Sequence, residues 1–290
     1  MPPRIKHQQG KIALLGAGYV AGAVIPALQD AGWEIIATTR DGRSDYDCET
    51  LRYDTAEGLS GTLKTALEEC TAIISSIPPK ADFDPVVRDL KPLDLRHIKW
   101  AGYLSATSVY GDRAGQWAFE DELLYPTLKR GRRRVLAELD WLESGLPVHV
   151  FRLAGIYGPG RNPFEKLLSG KAKIIDKPGH FVNRIHVEDI VTALRASMAR
   201  PNPCTVYNLA DGHPAPPGDV LDYAAALCGA LRPPHFSLEE AEISDMARSF
   251  YAETKRIAID RAARELGFAP KYPTYKEGLA AIWAARSLAS

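Results

Sequence analysis

The sequence has no net charge and very little cysteine, and each shortage excludes a class of function. Lysine and arginine total 36, as do aspartate and glutamate, so no overall field attracts nucleic acid or an anionic membrane. The four cysteines form neither a Cys-x-x-Cys pair nor a Cys/His metal pattern. They are Cys48, Cys70, Cys204 and Cys228. We therefore expect reduced thiols in a cytoplasmic protein, with no metal, nucleic acid or membrane as partner.

Internal repeats, low-complexity segments and long hydrophobic runs are also missing. The nearest approach to such a run is the uncharged stretch 12–29, which follows Arg4, Lys6 and Lys11. It resembles the apolar core of a signal peptide. However, its three glycines and one proline make it a poor membrane span. The spacing of the glycines has a better explanation.

From Lys11 onward, short apolar runs alternate with longer amphipathic stretches, a pattern typical of β-α-β units around a parallel sheet. The predicted strands are Ile12–Leu15, Glu34–Thr38, Ala72–Ile77, Ile98–Ser105, Pro147–Leu153 and Val206–Leu209. The predicted helices are Val20–Ala31, Thr55–Glu69, Pro126–Ser144, Val187–Met198 and Thr274–Ser287. After Gly155 the chain is richer in turns, which indicates a second, less regular lobe.

The segment Lys11–Gly22 combines an apolar strand, the pattern Gly-x-Gly-x-x-Ala and the start of a helix. Gly16 permits a tight turn, Gly18 lets the backbone approach a diphosphate, and Ala21 allows the helix to pack closely on the strand. An ordinary strand-to-helix turn is the alternative. The β-α-β context favours binding of a nicotinamide dinucleotide. The predicted contacts in this loop are Gly16, Gly18, Tyr19 and Val20.

The next predicted strand runs into Thr38, Thr39 and Arg40, where an NAD-binding protein would place an acid on the ribose. Arg40 suits the 2′-phosphate of NADP, because a guanidinium offers a charged, bidentate partner. A solvated surface arginine, with NAD as the cofactor, is the alternative. The third predicted strand should end at the same edge of the sheet. Its last residues either contact the cofactor or simply terminate the strand. Its predicted contacts are Ser75, Ser76, Ile77 and Pro78.

The expected fold class is therefore α/β, a Rossmann-type doubly wound parallel sheet with a small, interleaved C-terminal substrate lobe. We expect residues 1–290 to form one NAD(P)-binding domain. The lobe would be built mainly from about 155–185 and 211–290.

Five motifs follow one another over nearly the whole chain. They are Ser-Ala-Thr-Ser-Val-Tyr-Gly at 105–111, Phe-Arg-Leu-Ala-Gly-Ile-Tyr-Gly-Pro at 151–159, Arg-Ile-His-Val-Glu-Asp at 184–189, Tyr-Asn-Leu-Ala-Asp at 207–211, and an ending at 264–279. In this order they resemble the extended short-chain dehydrogenase/reductase superfamily, in its epimerase/dehydratase branch. The resemblance implies that Tyr110 and Tyr157 line the cofactor and substrate site, as phenolic donors or by packing. It also implies structural roles for His186 and Asp189.

The chain departs from this pattern at the positions that usually carry the chemistry. Ala106 stands where members have Ser or Thr, and aligning the next helix places Arg130 at the tyrosine and Arg134 at the lysine of the Tyr-x-x-x-Lys pair. Arginine cannot exchange a proton near neutral pH, because its pKa lies above about 12. Proton delivery would then fall to Thr107, Tyr110 or a bound water. The chain thus resembles an atypical member of the superfamily.

Arg130 and Arg134 are four residues apart and share a helix face. We expect Arg130 to bind an anionic group of the substrate and Arg134 to bind the nicotinamide ribose or the backbone. A solvated helix face and a nucleic-acid or nuclear-localisation patch at 129–134 are the alternatives.

The expected function is an NADP-dependent oxidoreductase or epimerase-like enzyme acting on a small polar or anionic substrate, with NAD as the alternative cofactor. A non-catalytic NADP-binding sensor or scaffold is the rival hypothesis. A redox-neutral lyase or epimerase that retains NAD is the third. The resemblance also suggests a homodimer through the long helices.

Overall fold

The computed structural model describes residues 9–289. Its strands are β1 Gly10–Leu15, β2 Trp33–Thr39, β3 Glu49–Arg52, β4 Ala72–Ser75, β5 Trp100–Ala106, β6 Trp117–Ala118, β7 Val148–Leu153, β8 Gly155–Tyr157, β9 Ile174–Asp176, β10 Arg184–His186, β11 Thr205–Leu209, β12 His235–Ser237 and β13 Arg256–Ile257. Its helices are α1 Ala21–Asp30, α2 Gly61–Glu68, α3 Pro85–Leu90, α4 Lys129–Leu142, α5 Phe164–Leu168, α6 Val187–Ala199, α7 Pro217–Cys228, α8 Asp245–Phe250, α9 Asp260–Leu266 and α10 Tyr275–Ala289, with a 3-10 helix at Thr107–Tyr110.

Seven strands form the central sheet, in the order β11-β7-β5-β4-β1-β2-β3. The chain leaves β1 toward β2 and β3, and then returns to place β4 on the other side of β1, with parallel pairing in each case. The order therefore reverses between β1 and β4, which is where open α/β sheets bind ligands at the carboxyl ends of their strands. The predicted α/β, Rossmann-type fold is confirmed.

The stretch 12–29 forms the end of β1 and most of α1, as the glycine pattern predicts. Arg4 and Lys6, which belong to the signal-peptide alternative, lie outside the described residues. Among residues 9–289, no helix has the length and apolar character needed to cross a membrane.

Many of the short strands and helices were not predicted from the sequence. Among the elements before β5, β3 and α3 were missed and helix α2 starts later than expected. β3 was not predicted because it is a partly exposed edge strand without an apolar run, and α3 has only six residues. α2 begins at Gly61 rather than at Thr55, because the Ser60 side chain caps it by accepting a hydrogen bond from the N–H of Leu63.

The chain divides into two compact units. The first contains residues up to Ala106, Arg132–Arg152 and Val191–Tyr207, and the second contains Thr107–Gly131, Leu153–Ile190 and the residues from Asn208 onward. In the first unit, Leu63, Leu67 and Trp141 from the helices are fully buried with Ile73 and Tyr103 of the sheet. This core holds the sheet edge that carries the glycine loop.

The second unit has its own small core and three short parallel strand pairs, β8 with β10, β9 with β12, and β6 with β13. Phe164, Ala224 and Leu279, from α5, α7 and α10, are buried together in that core. The division into a dinucleotide domain and a lobe at about 155–185 and 211–290 stays a prediction.

Candidate functional site

The turn after β1 depends on a glycine at position 16. Gly16 has φ +90°, a region that side chains rarely adopt, and a Cβ there would lie 2.7 Å from Cγ1 of Ile77. Its N–H donates to Oγ1 of the buried Thr38 at 2.9 Å, and its carbonyl accepts from the Ser76 hydroxyl. Ends of three neighbouring strands are thereby joined at the point where strand order reverses.

Gly18 lies open beyond this turn. No heavy atom would come within 4 Å of a Cβ at Gly18, so the protein itself imposes no glycine there. Helix α1 follows with no side-chain cap at Val20 and no acidic residue in its first turn. Such a helix start favours a bound anion. An open backbone next to it fits the diphosphate of a dinucleotide.

Tyr46 was not predicted as part of this loop. Its hydroxyl donates to the Gly18 carbonyl at 3.0 Å, and its ring lies 3.8 Å from the position of a Cβ on Gly22. The contact joins residues 28 positions apart, so no local sequence pattern predicts it. Tyr46 therefore fixes the carbonyl orientation in the glycine loop.

The end of β2 has an acidic residue that is already engaged. Asp41 Oδ1 accepts from the Thr39 hydroxyl at 3.0 Å and from the N–H of Arg43 at 3.2 Å. The Arg43 N–H bond and then the Thr39 bond hold the pKa of Asp41 below its ordinary value. The Arg40 side chain is exposed and forms no ion pair with residues 9–289. This edge therefore presents a cation and a carboxylate with one oxygen already hydrogen-bonded.

At the end of β4, Ser75 is fully buried and its hydroxyl has no hydrogen-bond partner within the described chain. Ser76 and Ile77 both contact the Gly16 turn, and Pro78 is exposed. The residues predicted from the β1, β2 and β4 ends thus share one edge of the sheet. An unpaired buried hydroxyl and an open glycine backbone are features that a bound nucleotide would satisfy.

Arg134 lies at the carboxyl end of β5, in the first unit. Its guanidinium donates to the Tyr103 hydroxyl at 3.0 Å and to the Leu104 carbonyl at 2.9 Å. The Tyr103 ring in turn stacks on Trp141, with centroids 5.5 Å apart. Burial raises the pKa of Tyr103, so this phenol stays protonated and accepts the arginine bond as a neutral group.

A buried ion pair lies one helical turn beyond Arg134. Glu138 and Arg152 are 2% and 4% exposed, and Nε and Nη2 of Arg152 reach the carboxylate at 2.8 to 3.2 Å. The Ser105 hydroxyl donates to the same carboxylate. Arg152 belongs to the motif at 151–159, which was the available sequence signal, and Glu138 lies on the helix after the motif at 105–111. The pair connects α4 to the ends of β5 and β7.

The two predicted phenolic donors are enclosed within the second unit. Tyr110 is fully buried, and its hydroxyl donates to Oδ1 of Asn208 at 2.7 Å. Tyr157 is 8% exposed and directs its hydroxyl at the Thr274 carbonyl, over Gly278, where a Cβ would come within 2.0 Å of it. Both hydroxyls thus have acceptors inside the second unit, which agrees with the packing alternative.

Thr107 and Arg130 retain more exposure. Thr107 is half-buried at the start of the 3-10 helix. Arg130 donates to the Ser249 hydroxyl at 2.6 Å and to the Ser249 carbonyl at 3.4 Å, and its guanidinium lies 4.3 Å from the Phe250 ring centre. Arg130 and Arg134 share α4 but have separate partners.

The structural roles expected for His186 and Asp189 agree with the geometry. Asp189 accepts from the N–H groups of Lys271 and Tyr272, at 2.6 and 3.3 Å. His186 packs on the Tyr272 ring, with centroids 4.1 Å apart, and meets Tyr157 edge-on. These contacts join α6 to the loop before α10.

No family model matches the sequence. Among curated proteins, protein YeeZ of Escherichia coli K12 is 31% identical over 283 residues, covering 91% of this chain and 96% of YeeZ. The chain belongs to the YeeZ family. A functionally unknown conserved protein from Silicibacter pomeroyi DSS has a structure similar to this YeeZ-family chain, with 44% identity, a TM-score of 0.88 and coverage of 96% and 99%.

More distant structures share the fold. MoeE5 in complex with UDP-glucose and NAD is 21% identical, with a TM-score of 0.78 and coverage of 96% of this chain and all of that one. UDP-glucuronic acid 4-epimerase from Bacillus cereus, in complex with NAD, is 15% identical, with a TM-score of 0.74 and coverage of 94% and 95%. The YeeZ-family chain thus has the fold of the extended short-chain dehydrogenase/reductase superfamily, as its motifs predicted.

Proposed function

We propose that the protein is an NADP-dependent oxidoreductase or epimerase-like enzyme. The observation that carries the proposal is the edge of the sheet formed by the carboxyl ends of β1, β2 and β4. Its Gly18 backbone is open, and Arg40 is exposed beside Asp41, whose Oδ1 already accepts two hydrogen bonds. The structures of MoeE5 and the Bacillus cereus epimerase, which share the fold, hold NAD. Bound there, a nicotinamide dinucleotide would supply hydride chemistry.

The choice of NADP over NAD follows from charge at the end of β2. Arg40 offers a bidentate partner to a 2′-phosphate, while Oδ1 of Asp41 already accepts from Thr39 and the Arg43 backbone. We expect the parent protein to bind NADPH more tightly than NADH by about tenfold to a hundredfold.

Calorimetric titration of Arg40→Ala with both nucleotides tests this choice. The variant should lose most of the difference by binding NADPH more weakly, with NADH affinity little changed. Arg200→Ala removes an exposed arginine after α6 and serves as the matched control. If Arg40→Ala still binds NADPH more tightly than NADH by the same factor, Arg40 does not bind the 2′-phosphate.

The substrate is proposed to be small and polar or anionic. Arg130 would bind its anionic group, and Arg134 would bind the nicotinamide ribose or the backbone. Thr107 or a bound water remains for proton delivery, since Tyr110 and Tyr157 are buried and hydrogen-bonded. Oxidation of NADPH, measured across aldehydes, keto acids and sugar nucleotides, tests turnover. Substrate-dependent oxidation is the expected result.

Arginine at both positions of the usual tyrosine–lysine pair favours a second candidate, a non-catalytic NADP-binding sensor or scaffold. Tight NADPH binding without turnover of any substrate in the panel would select it. Nucleotide that stays bound through purification, with turnover needing none added, would instead indicate the redox-neutral lyase or epimerase.

We also propose a homodimer and a cytoplasmic location. Leu136 and Leu139 of α4 are exposed at 37% and 49%, which supports a homodimer through that helix. All four cysteines are free thiols, which supports a reducing, cytoplasmic location. Sedimentation of the purified protein tests the dimer.

A further inference from the structure

Ser249 and Phe250 end helix α8, and Tyr251 is its C-cap. These three residues, called here the strap, contact two cations of the second unit. Arg130 donates to the hydroxyl and the carbonyl of Ser249. Lys177 donates to the Tyr251 carbonyl. Within residues 9–289, neither cation forms an ion pair with a carboxylate. Two positive charges therefore meet on three consecutive residues that offer them only neutral oxygens.

The Arg130 contact has the form of anion recognition. Nη1 and Nη2 each reach a different oxygen of Ser249, at 2.6 and 3.4 Å. A guanidinium uses the same two-pronged arrangement to hold a carboxylate or a phosphate, with stronger bonds because both partners are charged. Ser249 thus occupies the positions that the oxygens of an anion would take.

The nearby carboxylates are already committed. Glu253 accepts from the Thr127 hydroxyl and from Lys255, the latter at 2.9 Å. Asp112 Oδ1 accepts from the N–H groups of Thr254 and Ala114, at 2.8 and 3.2 Å. Neither acid forms an ion pair with Arg130 or Lys177, so both cations are available to an anionic ligand.

The side chains of the strap are only partly packed, although its backbone keeps the hydrogen bonds of a helix end. The Phe250 side chain is 60% exposed, and the Arg130 guanidinium packs on its ring. The Tyr251 ring is half-buried against His180, with centroids 5.1 Å apart. Burial, and then the charge of Lys177, lower the pKa of His180 to about 4, so this ring is neutral at pH 7. A segment with few buried contacts opens at low cost.

We propose that Arg130 and Lys177 form a binding site for a phosphate or carboxylate group, and that the strap covers the site and is displaced when the anion binds. The inference deepens the proposed function and rests on it in assigning the anion to the substrate. Charge-assisted bonds replace bonds to neutral oxygens, which drives the exchange.

Calorimetry with inorganic pyrophosphate and with malonate tests the site and distinguishes phosphate from carboxylate. At least one probe should bind the parent protein at low salt. Arg130→Gln and Lys177→Gln should each weaken binding by about tenfold, and Ser249→Ala should strengthen it by about threefold, because one competing acceptor is removed. Arg132→Gln, an exposed position on the same helix, is the matched control and should bind like the parent.

Hydrogen–deuterium exchange over residues 244–255 gives the readout for the strap. Exchange there should increase when the probe binds the parent protein and should start higher in Ser249→Ala. Absence of binding by both probes, or equal weakening in Arg132→Gln, would refute the site. Binding that leaves exchange over 244–255 unchanged would refute the displacement.

NADPH affinity, measured in the same variants, separates this inference from the proposed function. The Arg130→Gln and Lys177→Gln variants should keep the NADPH affinity of the parent. If no variant and no parent protein bound NADPH while pyrophosphate or malonate bound as described, the anion site would stand and the cofactor assignment would fail.

Discussion

Replacing Gly18 by valine should abolish nucleotide binding without harming the fold. A Cβ at Gly18 meets no heavy atom within 4 Å, and Gly18 does not have the positive φ found at Gly16. We therefore expect the free energy of unfolding to change by no more than about 0.5 kcal/mol. The isopropyl group would occupy the space required by the diphosphate, so affinity for NADPH should fall at least about a hundredfold, or about 2.7 kcal/mol.

Gly16→Ala should instead lower the stability of the fold, and it serves as the comparison for Gly18→Val. Its methyl group would lie 2.7 Å from Ile77 Cγ1, on a backbone with φ +90°, and we expect a loss of about 2 kcal/mol or more in stability. Urea unfolding followed by tryptophan fluorescence gives the stabilities, and NADPH titration gives the affinities. A folded Gly18→Val protein that binds NADPH like the parent would show that the glycine loop is only a turn.

Two further predictions concern buried carboxyl groups. Burial raises the pKa of Asp84 to about 6, above its ordinary 3.8, so the folded protein keeps a proton that the unfolded chain releases and stability falls as pH rises from about 4 to about 6. In urea unfolding at pH 4.5 and 7, Asp84→Asn should reduce this fall by about 1 to 2 kcal/mol, and the exposed control Asp82→Asn should not. Glu138→Gln should destabilise the protein by about 3 kcal/mol because it leaves Arg152 buried without a counter-ion; a loss below about 1 kcal/mol in the same assay would show that the pair is dispensable.

The sheet and the edge that carries the glycine loop were predictable because their signals are local. The Lys11–Gly22 segment specifies strand, turn and helix by itself, and Thr38, Ser76 and Ile77 follow from strands whose carboxyl ends must meet. The structure shows these residues in contact with Gly16. Sequence reasoning succeeds where one short segment determines the geometry.

The hydrogen-bond partners of the two tyrosines were not predictable because they lie far along the chain. The Tyr157 hydroxyl fits over Gly278, and the Tyr110 hydroxyl finds Asn208, far along the chain in both cases. Tyr46 likewise reaches Gly18, and Ser249 reaches Arg130, from segments without a recognisable motif. Burial of an aromatic side chain is decided by tertiary packing, and the motif around it does not reveal that outcome.

Titration of the unmodified protein with NADPH and with NADH, side by side in a calorimeter, tests the central claim most directly. The open glycine backbone at Gly18 predicts saturable binding of NADPH at one nucleotide per chain. The exposed Arg40 predicts that NADH binds about tenfold to a hundredfold more weakly. Equal affinities would contradict the NADP assignment, and failure of both nucleotides to bind would contradict the dinucleotide site itself.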